Sequence, residues 1–342
     1  MVFLAINYHY IDDEKKYERG IYPVSVKRFQ EQLEKLGKFF TFVGQKDVLD
    51  ALAWGKKLPE NCCVVTFDDG LKSQYEQALP ILNKMGIPAI FFINGLPYLE
   101  SKALFVHKVH WARSKMSPAE FLGEVSHLYT LFTGEPFNLG SFINMSEEQL
   151  RSFYPYDHLD ETRIKIFLNK STLDLALREQ IINTIFKSIV KEEKEFCDNF
   201  YMTNKQVLEL YKNGSIGWHG YAHKPVTLLS DSAMQTELKS ASRVLSYITG
   251  DSKAAANSVS FPHTIPVSLK IAQVAGSVGM KFGFTMEKAF NTSLLHPLLF
   301  SRLDANDIPG GKAPLFSMED NGIKILDKKL NICRREYFEE GT

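Results

Sequence analysis

The chain has 342 residues, 44% of them hydrophobic and 23% charged, the balance of an ordinary globular protein and length enough for one large α/β domain or two smaller ones. Forty basic residues offset forty acidic ones, so no net field draws it to nucleic acid or an anionic membrane. No run approaches the ~18 apolar residues that span a bilayer, and the four cysteines (Cys62, Cys63, Cys197, Cys333) make no disulfide framework.

The opening "MVFLAINYHY" lacks a basic leader and a small-residue cleavage site. It reads as a strand over 2–7, and with the reduced cysteines it implies a cytoplasmic protein. Val26, Phe29, Leu33 and Leu36 then recur at helical spacing, with Gly37 at the stop. A short strand near 39–43, a helix near 45–54, the strand "CCVVTF", a helix near 73–85 ending at Gly86 and the strand "AIFFI" (89–93) follow. Strand and helix taking turns over short links argue for a parallel sheet or barrel.

The alternation stops at about residue 100. From there to 202 strand signals are nearly absent, and helical stretches such as 175–193 dominate; "SEEQ" (146–149) has capping-box spacing. This reads as a mostly helical insertion, serving as a lid, an oligomerisation surface or a cover for one barrel face. Within it Trp111 reads as a core aromatic flanked by two surface histidines, His107 and His110. Alternation resumes at 203–214, where Thr203 and Gln206 form a second capping box before Gly214. Strands at 215–219, 258–262, 282–285 and 298–303 and helices at about 231–248 and 267–278 bring the count to about eight strands. The expectation is a single domain over 1–342, a (β/α) barrel interrupted by the insertion at 100–202.

Two stretches carry chemistry. "VVTFDDG" (64–70) follows a buried strand with two adjacent carboxylates, Asp68 and Asp69. An Asp-Gly turn is the plain reading, but "GWHGYAHKP" (217–225) places His219 and His223 four apart at another strand end, close enough to share a cation. Two imidazoles and one carboxylate form a site that keeps coordination positions open. If Asp69 completes that set, Asp68 is left as a base, and the cation offsets the repulsion of the two acids.

"TFDDG" and "HGYAH", in this order on alternating elements, resemble the NodB-type polysaccharide deacetylases, carbohydrate esterase family four. "NYHYI", "PVSVKRFQEQLEKL" and "ALPILNKMGIPAIFFI" are similar to that family too, so the likeness covers about 1–96 and 203–307. It implies a distorted (β/α)7 barrel and a divalent metal, usually Zn2+, held by Asp69, His219 and His223. It also implies Asp68 as the catalytic base and an N-acetylated sugar or glycan precursor as substrate. The chain departs from the family pattern at "SFPHT" (260–264), where Ser260 stands in place of an arginine that orients the base; Arg302 in "FSRLDAND" is the candidate replacement. The general acid is also displaced. "LLHP" offers His296 before the last strand instead of after it, which leaves His263, ahead of His9, as the better candidate. The expected activity is metal-dependent N-deacetylation; hydrolysis of another non-peptide C–N bond, or sugar binding by a degenerate barrel, are the alternatives.

Overall fold

A computed structural model of the chain describes residues 2–143, 145–153, 159–170, 173–264, 268–319 and 322–333. They fall into two compact units, one of residues 1–16, 23–102 and 197–342, the other of 17–22 and 103–196.

The first unit is built on a curled, mostly parallel sheet. β1 (Val2–Tyr8) has almost no exposed position, and it pairs in parallel with β3 (Asn61–Phe67) over seven successive residues; β2 (Thr41–Phe42) pairs beside the start of β3. The order then runs β3, β4 (Ala89–Ile93), β5 (Ile216–Trp218), β6 (Ser258–Ser260) and β7 (Phe282–Phe284), all parallel. β8 (Ala289–Asn291) lies antiparallel against Phe3 of β1. Closure comes from residues 300–304. Phe300 bridges to Phe284 on one side, while β9 (Leu303–Asp304) pairs with Ile6 and Asn7 on the other. Counting β1, β3, β4, β5, β6, β7 and this segment gives seven staves, the distorted (β/α)7-type barrel expected.

Side-chain parity explains the continuous apolar runs. Phe3, Ala5, Cys62, Val64, Ile90, Phe92, Phe282, Phe284 and Phe300 form one buried cluster, drawn from staves on opposite sides and therefore lining the interior. The intervening residues Leu4, Ile6, Tyr8, Cys63, Val65, Phe67, Phe91 and Ile93 face outward into a second cluster with the covering helices. Helix Val26–Leu36 is capped by Ser25 and contributes Phe29 and Leu33 to it; helix Asp231–Thr249 is capped by Ser230 and contributes Met234 and Leu238. Residues 74–78 form a π-helical turn, with Leu79 N–H bonding to Gln74 O, before the helix Leu79–Met85 and the left-handed Gly86. Pro80 has no N–H to continue an ordinary ladder, which accounts for the irregular start.

Four short strands lie outside the sequence expectation: β8, the antiparallel pair β10 (Phe316–Glu319) and β11 (Gly322–Ile325), and β12 (Asn331–Cys333) beside β8. The strand expected at 298–303 begins instead as a 3-10 turn at Pro297–Leu299. That expected at 258–262 stops at Ser260, where Pro262 and the left-handed His263 turn the chain.

The second unit is helical, with no strand among its described residues. Helices Phe105–Lys115, Pro118–Thr133, Leu159–Lys170 and Leu175–Ile189 share a cluster that includes Phe121, Phe167, Ile182 and Ile185. Both capping boxes read from the sequence form, Ser146 with Gln149 here and Thr203 with Gln206 in the barrel unit. Trp111 packs edge-on to Phe196 and Tyr17 but is only half-buried, at the edge of the helical unit and not in its core, whereas His107 is fully buried and not on the surface. The buried residues of helix Phe105–Lys115, namely His107, Lys108, Val109, Ala112 and Arg113, spread over more than half its circumference, so the segment has no one-sided apolar pattern from which the burial of His107 could be read. No described helix is long and apolar enough to cross a membrane.

Candidate metal centre

Continuing the inward parity of the staves to their C-terminal ends gives a layer of a different character. Asn7 on β1, Thr66 and then Asp68 after β3, Asn94 after β4, His219 after β5, Ser260 on β6 and Arg302 on the last stave all replace apolar residues there, and all are buried. Seven buried polar side chains gathered at this end of the barrel cost desolvation unless they satisfy one another.

Most of them do so through Asp68. Arg302 meets it with a two-pronged contact, Nη1 to Oδ1 at 2.9 Å and Nη2 to Oδ2 at 2.6 Å. Oδ2 also accepts the Asn7 amide and the Ser260 hydroxyl, each at 3.1 Å. The remaining donor capacity of the guanidinium goes to Ser260 Oγ at 2.8 Å, Thr66 Oγ1 at 3.1 Å and Asn7 Oδ1 at 3.2 Å. Burial, the largest influence, pushes the Asp68 carboxyl up. The charge of Arg302, then that of His219, the Arg302 hydrogen bonds and the charge of His9 outweigh it and hold the group far below the ordinary carboxylate range. Asp68 is therefore an anion at neutral pH.

Asp69 turns the other way. Its backbone is left-handed (φ 78°), so the carboxylate leaves the barrel axis and faces the loop after β5. Oδ1 lies 3.6 Å from Nε2 of both His219 and His223, and the three ligand atoms fall within 4.8 Å of one another. Those separations are too long for hydrogen bonds and close to the roughly 3.3 Å expected between tetrahedral ligand atoms about 2.0–2.1 Å from zinc. The His219 ring supplies a second test. Nδ1 sits 2.7 Å from the Ser260 carbonyl oxygen, which can only accept, so Nδ1 carries a proton and Nε2, on the side of Asp69, is the nitrogen whose lone pair a cation would take. Asp69, His219 and His223 thus fit a divalent cation; among the described residues they are the only such group of three.

The other candidates divide by position. His263 follows β6 in a left-handed, exposed turn, its ring centroid 5.2 Å from that of His223. His9 follows β1 and is half-buried, its carbonyl accepting from Gln74, whose amide also reaches the Asp68 carbonyl. His296 heads the 3-10 turn before the last stave. Since β8 runs antiparallel to β1, this connection lies toward the N-terminal ends of the staves, away from Asp68.

Sequence reasoning missed Asn7, Thr66 and Asn94, and it read Ser260 only as a loss. The signal was available as inward-parity polar residues in otherwise apolar strands. Ser260 is small because the Arg302 guanidinium fills the space beside it.

The polysaccharide deacetylase family profile matches residues 55–115, which include Asp68 and Asp69 but end before His219, His223 and Arg302. A poly-beta-1,6-N-acetyl-D-glucosamine N-deacetylase of Escherichia coli K12 is 34% identical over 90 residues, 26% of this chain and 13% of that protein, so the chain matches only a small part of its relative. In fold, it is similar to the Streptococcus pyogenes deacetylase PplD (TM-score 0.52, 15% identity, 89% of this chain and 92% of that one). It is also similar to IcaB from Ammonifex degensii (TM-score 0.50, 17% identity, 88% and 91%). These findings bear out the resemblance to NodB-type polysaccharide deacetylases.

Proposed function

We propose that the protein is a metal-dependent deacetylase that hydrolyses the N-acetyl group of an amino sugar or surface-polysaccharide precursor. The observation that carries this reading is the pairing of two acids with separate environments: Asp69 faces two imidazoles, while Asp68 is fixed as an anion by Arg302. Asp69, His219 and His223 would hold the cation. When bound, it supplies Lewis-acid polarisation of the acetyl carbonyl and lowers the pKa of water, with Zn2+ the first candidate.

The remaining work falls to the chain. Asp68 takes a proton from the attacking water, its orientation set by Arg302, Asn7 and Ser260. His263 stands on the exposed side of His223, where it can deliver a proton to the leaving nitrogen as the C–N bond breaks. The products are acetate and a free amine. Arg302 is a positioning residue in this scheme, performing from the last stave the role that an arginine at position 260 has in the family. The cytoplasmic location expected from the sequence goes with this reading and is supported by three buried free cysteines; cell fractionation tests it.

The test is acetate release from a panel of N-acetylhexosamine derivatives, run with metal analysis of the purified chain and with Asp68→Asn as control. Acetate from the wild type alone supports the proposal. Bound metal with no acetate from any N-acetyl sugar refutes it and favours another C–N bond; sugar binding without turnover favours a binding barrel.

A further inference from the structure

Glu237 takes no part in the chemistry proposed above, yet it is a buried carboxylate within the metal-ligand loop. It projects from helix Asp231–Thr249, 7% exposed, with no ion pair to it among the described residues. Its Oε1 accepts the N–H of Ala222 at 2.6 Å and that of Lys224 at 3.4 Å, the two residues that flank His223. A Cβ at Gly220, which is left-handed (φ 77°), would meet the same oxygen at 3.1 Å. The loop is therefore folded around this carboxylate.

His223 needs such support. Its backbone is left-handed (φ 59°), a conformation that a residue with a side chain rarely adopts unless its surroundings impose it. Accepting N–H groups on both sides fixes both peptide planes and so the direction of the imidazole. From the other flank the Asn94 amide donates to the carbonyl of His219, and Gly95 N–H donates to that of Gly220. His219 is further fixed by Ser260; around His223 the Leu96 N–H holds the Tyr221 carbonyl at 2.8 Å, and Glu237 is the side chain that accepts the N–H groups on both sides of His223.

Resting on the metal reading above, we infer that Glu237 is the positioning residue that sets divalent-cation affinity, by holding His223 in its ligating conformation and adding a negative charge behind the site. Outer-shell partners of this kind typically change affinity by about 10–100-fold.

The experiment uses the full chain stripped with chelator. Zn2+ affinity is measured by competition with a chromophoric chelator, and Co2+ is added to record the visible ligand-field spectrum. Glu237→Ala is expected to weaken Zn2+ binding about 10–100-fold and to shift the Co2+ bands. Glu237→Gln keeps the acceptor but not the charge and is expected to fall between, at least about fivefold weaker than wild type; it carries the test should the alanine variant fail to fold. Affinities within twofold of wild type, with an unchanged Co2+ spectrum, overturn the inference whatever happens to the thermal midpoint of the metal-free proteins. A wild-type chain that binds neither ion refutes the metal centre itself, which is a separate result.

Discussion

Replacing Arg302 with methionine removes the guanidinium and keeps most of the side-chain volume. Two charge-assisted bonds to Asp68 are lost, along with those to Asn7, Thr66 and Ser260. Asp68 is then a carboxylate 2% exposed with only Asn7 and Ser260 as donors. Removing one partner of such a pair costs about 3–5 kcal/mol at neutral pH. The sign with pH follows from the shift. In the wild type the carboxyl is held below its unfolded value near 3.9, so the pair's stabilisation is complete above that pH and is lost as pH falls through the lower folded value. In the variant, burial is no longer opposed by Arg302 and raises the carboxyl, so the native state gains relative stability as Asp68 protonates. The gap between wild type and variant should be widest at pH 7 and should narrow toward pH 3. Urea denaturation of the metal-free proteins at pH 7, 5 and 3.5 measures it, with Asp68→Asn and the double variant completing a cycle. A cost below about 1 kcal/mol, or one that does not change with pH, refutes the argument that Arg302 compensates Asp68.

Returning an arginine to position 260 in an Arg302→Ser background should restore part of the acetate release lost by Arg302→Ser alone; no gain over the single variant counts against an exchange of roles. Asp68→Asn should lower kcat by 100-fold or more (about 10²–10⁴ for a general base) while Zn2+ stoichiometry stays at the wild-type level, whereas Asp69→Asn should lose metal, both read by metal analysis beside turnover. Gly217→Ala places a Cβ 2.3 Å from the Phe92 ring and 2.6 Å from Ser258 Oγ inside the barrel, so the thermal midpoint should fall by an amount equivalent to about 1–3 kcal/mol of overpacking; an unchanged midpoint refutes the interior assignment. Burial raises the Cys63 thiol well above its ordinary value and pushes Cys62 up to about 11, so neither should react with an aromatic disulfide at pH 8 until the chain is unfolded.

The parts of the barrel legible in the sequence are those where one local rule dominates. β1, β3 and β4 have long apolar runs because parallel strands are buried on both faces. The helix Val26–Leu36 declares itself through its apolar spacing and Asn204–Lys212 through the Thr203–Gln206 capping box. β8, β9 and β12 are only two or three residues long and exist because neighbouring staves offer backbone partners; nothing in "AFN" or "LD" demands a strand. The same division holds for the site. Asp68 and Asp69 stand out as adjacent charges, and His219 and His223 as a spaced pair. Arg302 is separated from Asp68 by 234 positions, and its contact depends on the curl that brings the last stave beside β1. His296 matches the family motif in letters but not in order, and the antiparallel β8 before it carries the chain back toward the N-terminal ends of the staves.

That curl also explains where strain is stored. Among the described residues, four other than glycine are left-handed, and three of them are Asp69, His223 and His263. Each follows a stave whose inward parity already delivers a polar residue to the layer: Asp68 before Asp69, His219 four positions before His223, Ser260 before His263. At the odd spacings of Asp68/Asp69 and Ser260/His263 an extended strand would send the second side chain to the outer face, and at the spacing of His219 and His223 it would carry the second imidazole about four residues' rise past the first. A left-handed turn breaks the alternation and turns the second side chain back toward the mouth. The resulting backbone cost is of order 1–3 kcal/mol at each position, sustained by an interior whose lower layers are packed mainly with apolar side chains from Phe3 to Phe300. Relieving that strain with glycine at 69 or 223 would stabilise the turn and delete the ligand together, so at these two positions left-handed geometry and metal-ligand chemistry belong to the same residue.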